Sequence, residues 1–398
     1  MVAGHLREKN GIYHAVLSYT DVQGKRKTPS KSIGLPVKGN KKRAEAILRQ
    51  WQWDMEAELA EQAQSTPNTG GAGNILFTQY LLDWLAIMRH SVDVTTYAGY
   101  KNNVTRSIIP YFDDRHPGLK LRDVTTKHIQ DYYTYEMDEK ELTANTVIHL
   151  HANIHKALKY AFNTNLISSN PVAKIERPRI EKFEAGYYSA DELNQLFKAV
   201  RGDAIEFGVI VAAYYGLRRS EVVGLKWDAV DFKEKTITIK HTVAQIQIDG
   251  KSTIIEKNRT KSKSSYRSLP LVKPFGELLL RMKEEQEQNR KLCGSSYCQK
   301  DRGYIYVNQM GVRVKPNYLT QRFPKILERN GLRKIRFHDL RHSCASLLHA
   351  NGVTLLDIKE WLGHSDISTT VNIYTHFEFT SKVDSAAAII DVFPDLST

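Results

Sequence analysis

Cysteine is scarce in this chain: Cys293, Cys298 and Cys344 are the only three among 398 residues. An odd trio does not make a disulfide framework, and Cys293 and Cys298 have no second pair with which to close a zinc site, so reduced structural thiols are expected, Cys344 buried among them. Long apolar runs are missing as well. With no stretch of 18 apolar residues, and an opening MVAGHLREKNG that lacks the apolar core of a secretory leader, the expectations are no membrane partner and a cytoplasmic protein. Acidic residues are outnumbered, 44 against 57 lysines and arginines, which leaves a formal net charge of +13 and a pI near 9.4. That imbalance favours a polyanionic partner, most often nucleic acid. The spacing His338-x-x-x-His342 could place two imidazoles on a metal, but a zincin carries glutamate after its first histidine and Asp339 stands there instead. No metal or other cofactor is expected.

At this length two to four domains are expected. Residues 1–50 hold 11 lysines and arginines against 3 acidic residues, a concentration that marks a separate DNA-contacting module. Within it 12–19 alternates as a strand does, 21–25 reads as a turn and 27–34 as a second strand; 4–9 adds a third, and 41–59 is helical with Ala44, Ile47, Leu48, Trp51 and Met55 on one face. The polar, glycine-rich QAQSTPNTGGAGN ends this module as a linker. Helices are expected over 77–88, 95–108, 126–139 and 143–163, the last with a stripe of Ile148, Ile154, Leu158 and Phe162, while Pro110, Pro117 and Pro171 fall between or after helices. The charged AKIERPRIEK reads as a hinge, and Ser189 with Glu192 opens the next helix as a capping box. The expected domains are therefore 1–64, a linker at 65–74, a helical 75–175, a hinge at 176–186 and a last domain over 187–398. Strands in that last domain are expected only at 236–248 and 254–269, where QIDGKSTIIEKN is long enough to form an additional strand pair. Candidate DNA-contacting cations are Lys25, Arg26, Lys27, Lys41, Lys42, Arg43, Lys101, Arg106, Lys156 and Lys159.

The chemistry is concentrated late in the chain. GLRRSE presents Arg218, HDLRH presents His338 and Arg341, LGHS presents His364, and NIYTH presents Tyr374. A DNA phosphodiester is anionic and inert, so an enzyme without a metal must place cationic donors on its non-bridging oxygens, and a planar guanidinium can bind two oxygens at once. A tyrosine hydroxyl becomes an effective nucleophile only beside cationic groups and a proton acceptor, which histidine can be; the leaving 5′ oxygen needs a proton, which a lysine can give. If 338–350 is helical, His338 and Arg341 share a face, and Asn351-Gly352 ends the helix. A second helix over 354–362 closes at Gly363, leaving His364 on a turn, and Ser368 or Thr369 caps a third helix carrying Tyr374. Arg219, on another face from Arg218, reads as a solvated or DNA-backbone residue, and His342 as a packing residue.

The order GLRRSE, TKS, HDLRH, LGHS and NIYTH resembles the tyrosine recombinase, or phage integrase, family across the second half of the chain. The resemblance implies that Arg218 and Arg341 clamp the scissile phosphate, His338 assists proton transfer, His364 hydrogen-bonds the phosphate, Tyr374 attacks and Glu221 is a supporting acid. In RTKSKSSYRSLP the family lysine precedes an Arg-x-x-Pro element, here Arg267 to Pro270; Lys261 and Lys263 both fit, with Lys261 favoured for the serine after it. The basic N-terminal piece resembles the arm-type DNA-binding domain of integrases from bacterial conjugative transposons, and the helices before the hinge resemble the family's core-binding domain. The implied fold is multidomain: a small α+β N-terminal domain, an all-α core-binding domain and a mostly α catalytic domain with a small antiparallel sheet. The implied function is site-specific recombination on double-stranded DNA by four copies of the chain, through a 3′-phosphotyrosyl bond and a four-way junction, with an accessory DNA-bending or directionality protein and a C-terminal tail docking on a neighbouring copy. A type IB topoisomerase or a catalytically silent DNA-binding regulator are the alternatives, and the intact set of site residues argues against the second.

Overall fold

The structure, a computed structural model, describes residues 2–20, 25–65, 73–180, 186–258 and 266–367. It divides into two compact units, residues 1–93 with 99–180 and residues 94–98 with 181–398.

In the first unit the basic segment folds as β1 (Ala3–Lys9), β2 (Ile12–Thr20), β3 (Arg26–Lys27), β4 (Ser30–Pro36) and α1 (Lys41–Ser65). The turn between β1 and β2 is Asn10-Gly11, both with positive φ, the two-residue hairpin that matches strand twist. Strand β2 is central, pairing antiparallel with β1, β3 and β4. Its odd residues Tyr13, Ala15 and Leu17 are buried, and Leu17 meets Leu48 and Val2 in a small core completed by Trp51 and Met55. Helix α1 runs past the expected end at 59. Ile47 lies outside the expected stripe at 45% exposure, because Ala44, Leu48, Trp51 and Met55 already complete the sheet-facing side.

The helices that follow are α2 (Phe77–Ser91), α3 (Val94–Asn103), α4 (Ile109–Arg115), α5 (Thr126–Asp138) and α6 (Ala144–Asn163). A π-helical turn over Val104–Ile108 joins α3 to α4 without a break. Pro110 therefore lies inside a continuous helical run, not between helices; at the first turn of α4 its missing N–H costs little. The buried face of α6 is Val147, Leu150, Ile154, Ala157, Leu158 and Ala161, rotated from the expected stripe, so Phe162 is 45% exposed.

The second unit is mostly helical: α7 (Ala190–Ala199), α8 (Glu206–Tyr215), α9 (Arg219–Val222), α10 (Lys273–Cys293), α11 (Pro316–Arg329), α12 (Asp339–Ala350) and α13 (Leu355–Leu362). Ser189 and Glu192 form the expected capping box at the start of α7. The strands are β5 (Val230–Asp231), β6 (Thr236–Ile239), β7 (His241–Ile248), β8 (Lys251–Asn258) and β9 (Arg267–Pro270). β5, β6 and β9 make one antiparallel sheet, while β7 and β8 form a separate hairpin around Asp249-Gly250, the additional strand pair. One core joins α7, α8, β6, α10 and α11 to Phe337 and Leu340 at the start of α12.

Candidate active site

Each site residue is placed by a local stop signal. Gly216 ends α8 in the left-handed conformation, φ 62°, and a Cβ there would lie 2.2 Å from Leu362 Cδ2. The chain reverses at once, so Arg218 caps α9, and the Glu221 carboxylate accepts from both the Arg218 backbone N–H (2.9 Å) and its guanidinium (2.9 Å). His338 stands at the start of α12, where Asp339, buried, binds the Arg336 backbone N–H at 2.7 Å and its guanidinium at 2.7 Å and so fixes the loop from which His338 projects. Arg341, one turn on, is 2% exposed. Thr354 caps α13, and Gly363 ends it at φ 69°. The His364 N–H bonds to Lys359 O at 3.0 Å and the Gly363 N–H to Glu360 O at 3.1 Å, the paired bonds of a Schellman ending.

That ending leaves three successive carbonyls without a helical partner, at the negative pole of the helix. Three arginines from three different elements take them. Arg267 Nε donates to Trp361 O at 2.8 Å, Arg341 Nη2 to Leu362 O at 2.7 Å and Arg218 Nη2 to Gly363 O at 3.2 Å. Arg341 Nη1 also donates to Gly216 O at 2.5 Å. Glu221, fully buried, lies between Arg218 and Arg267, whose Nη2 is 3.1 Å from it. Burial alone would raise the Glu221 carboxyl, but the Arg267 and Arg218 guanidiniums outweigh it and hold it down at about 2. Among the described residues, Arg218 and Arg267 flank this one carboxylate while Arg341 is held by backbone carbonyls, so positive charge is in excess, the condition for receiving an anion.

The histidines are kept neutral. Burial, then Arg341 and Arg218, pulls His364 down to about 3, and His364 is only 7% exposed. His338 is exposed, yet the protein packed around it, with His342 and Arg341 beside it, draws it down to about 4. The His342 ring lies edge-on to His338 with centroids 5.5 Å apart, and its Nδ1 is buried with no hydrogen-bond partner among the described residues. No group of three or more metal-binding side chains occurs among the described residues. Cys344 is buried on α12, where burial pushes its thiol up to about 12.

Arg218, Glu221, His338, Arg341 and His364 are thus brought into one site. Lys261, its alternative Lys263, and Tyr374 with its helix lie outside the described residues. Sequence reasoning missed Arg267 as a site residue, naming it only as the start of an Arg-x-x-Pro element. Arg219, read as a solvated or DNA-backbone residue, is half-buried, and its guanidinium donates to Asn317 Oδ1 (3.3 Å) and Thr320 Oγ1 (2.5 Å) on α11. Of the candidate DNA contacts, Lys25, Arg26, Lys27, Lys41, Lys42, Arg43, Arg106, Lys156 and Lys159 are exposed and Lys101 is half-buried. Lys156 is engaged with Tyr100, 2.9 Å from its hydroxyl and above its ring.

Residues 187–381 match the phage integrase family, and residues 76–137 match the phage integrase N-terminal SAM-like domain. The chain belongs to the phage integrase family of tyrosine recombinases. It is a DNA strand transferase of that family. A tyrosine recombinase XerC-like protein of Caldanaerobacter subterraneus subsp. tengcongensis is 28% identical over 81% of this chain and 83% of its own length. The ICEBs1 integrase of Bacillus subtilis is 22% identical over 90% of this chain and 94% of its own. In fold, the chain is similar to the Tn1549 transposon integrase in complex with a circular intermediate DNA (TM-score 0.63, 19% identity, 79% of this chain and 98% of that one). It is also similar to the lambda integrase tetramer bound to a Holliday junction (TM-score 0.54, 16% identity, 92% and 94%). No helix among the described residues is long and apolar enough to cross a membrane.

Proposed function

We propose that this recombinase integrates and excises a mobile element, of conjugative-transposon type, by exchanging strands at specific DNA sites in the cytoplasm. Arg218 and Arg341 hold the non-bridging oxygens of the scissile phosphate, with His364 as a further hydrogen-bonding group and Glu221 orienting Arg218. His338, neutral at pH 7, accepts the Tyr374 proton as the phenolic oxygen attacks phosphorus. The bond to the 5′ oxygen breaks as Lys261, or Lys263, protonates it, leaving a 3′-phosphotyrosyl bond and a free 5′-hydroxyl. A 5′-hydroxyl of the partner strand then attacks that phosphorus and returns the phenol. One phosphodiester is made for each one broken, so the step needs neither ATP nor a metal. Four copies on two duplexes would carry the exchange through a four-way junction, with an accessory DNA-bending or directionality protein.

The observation that carries this reading is the convergence of Arg218, Arg341, His338 and His364 around the end of α13, cationic and with neutral imidazoles. The test incubates the chain and Tyr374→Phe, in EDTA, with nicked duplexes spanning the joined ends of the element that encodes it. A covalent protein–DNA band on a denaturing gel is expected for the wild type alone. A band from Tyr374→Phe, or none from a wild type that binds the same duplex, would overturn the proposal.

A further inference from the structure

We propose that Arg267 is a positioning residue for strand cleavage, coupling Arg218 to the turn that carries His364; this rests on the phosphate-binding roles given above to Arg218 and His364. Arg267 is the first residue of β9, where Ile239 of β6 pairs with it, so its backbone is fixed by the small sheet. Its side chain is 7% exposed. The guanidinium is spread over two groups: Nη2 and Nη1 reach the two Glu221 oxygens at 3.1 and 3.5 Å, and Nε donates to Trp361 O at 2.8 Å. Glu221 in turn binds Arg218 through backbone and side chain, and Trp361 is three residues before His364 on the helix end that Arg218 and Arg341 also bind. One planar cation therefore ties the sheet, the Arg218 loop and the His364 turn together. All three of its nitrogens are turned to Glu221 and Trp361 O.

The carboxylate makes the arrangement consequential. Glu221 is fully buried and ionised, so it must be neutralised, and every donor that Arg267 supplies is one that Arg218 need not. Without Arg267 the carboxylate leans harder on Arg218 and draws that guanidinium away from an incoming phosphate. The turn at His364 loses its tether on the same event. A lysine, with a single charged centre, can satisfy Glu221 or Trp361 O but not both in the planar fork that arginine provides.

The experiment uses the full chain with Arg267→Met, Arg267→Lys, Glu221→Gln, the Arg267→Met/Glu221→Gln double variant and Arg218→Ala. Single-turnover formation of the covalent complex is followed against DNA concentration, with the thermal midpoint measured in parallel. The saturating rate is expected to fall about 100-fold in Arg267→Met and roughly 10-fold in Arg267→Lys, while the half-saturating DNA concentration stays within about 3-fold, as misplacement of bound groups predicts. The double variant is expected to fall no more than about 3-fold below the slower single one, since both changes remove the same link. A wild-type rate in Arg267→Met overturns the proposal, as does a rate loss that multiplies fully in the double variant, or one matched by loss of DNA affinity or of folded protein at the assay temperature. Arg218→Ala separates the two readings: if it cleaves normally the phosphate assignment itself is wrong, whereas an inactive Arg218→Ala beside a fully active Arg267→Met removes the positioning role alone.

Discussion

Gly216 shows how one residue without a side chain carries several others. Its left-handed backbone turns the chain from α8 toward Arg218, its carbonyl receives Arg341, and the space beside it is filled by Leu362. Alanine there would cost about 1–2 kcal/mol for the backbone conformation alone, and its Cβ would overlap Leu362 Cδ2, whose ideal approach of 2.2 Å is far inside contact. Gly216→Ala is therefore expected to lower the unfolding midpoint and to reduce cleavage by disturbing both arginines; unchanged values in a denaturant titration and a cleavage assay would refute this. The buried titratable groups give a second expectation. His364 is held at about 3, below its ordinary 6.5, so between those values the unfolded chain binds a proton that the folded chain refuses, and stability is lost as pH falls. Glu221, held at about 2, adds a loss of the same sign below 4.5. A histidine of this kind can contribute up to about 1.4 kcal/mol per pH unit, so the urea midpoint is expected to drop from pH 7 to pH 5, and His364→Gln to flatten the drop. A midpoint that rises on acidification would contradict it. Residue types at the site were legible because HDLRH and LGHS place cation and imidazole at helix starts and stops that short-range rules read correctly. Arg267 was not, since its meaning lies in Glu221, 46 positions away, and in a backbone carbonyl, neither of which any local pattern encodes. Nor does the serine that favoured Lys261 separate the two candidate lysines, since Ser264 follows Lys263 just as Ser262 follows Lys261.

Among the elements, β2 was legible from its period of two, and its two faces divide the chemistry. Leu17, Ala15 and Tyr13 point to α1. The opposite face carries His14, Val16 and Ser18, paired with Arg7, His5 and Ala3 on β1 and, for His14 and Val16, with Ser32 and Ser30 on β4. Arg26 joins that face, its Nε 3.2 Å from Ser18 Oγ. No acidic side chain lies among these residues, and a narrow sheet of this kind fits the DNA major groove. Arg7 was absent from the candidate cations because strand pairing, which aligns it with His14, is not visible in composition. Arg7→Ala and Arg26→Ala are each expected to weaken binding of the arm segment to its DNA sites and to lower the salt slope by about 0.9 if a phosphate contact is lost, while cleavage at the core site persists. Equal affinity and slope across a salt titration would show that this face does not meet DNA. The elements that sequence reading placed less well have a common cause. α6 is apolar on more than one flank, so Phe162 looked inward when tertiary packing had chosen Val147 and Ala161, and Pro110 looked like a boundary because a π turn, which absorbs it, has no sequence signature of its own.

At the scale of the whole molecule the question is which parts act independently. The family match over 76–137 begins just after QAQSTPNTGGAGN, and the match over 187–381 begins just after the charged AKIERPRIEK segment. We propose from these breaks the division expected from the sequence: an arm at 1–64, a linker at 65–74, a core-binding part at 75–175, a hinge at 176–186 and a catalytic part at 187–398. All the proposed phosphate-handling groups, from Arg218 to Tyr374, come after the second break, whereas the N-terminal excess of charge comes before the first. Residues 75–398 alone are accordingly expected to form the covalent complex on a nicked core duplex at a rate within about 3-fold of the full chain, because truncation leaves the transition-state contacts in place. The same truncation should lose binding to the arm sites and the share of salt dependence that the basic segment supplies. If it instead abolishes the covalent complex as completely as Tyr374→Phe, while remaining folded and bound to the core duplex, then the arm participates in assembling the catalytic centre and the chain does not divide at 65–74.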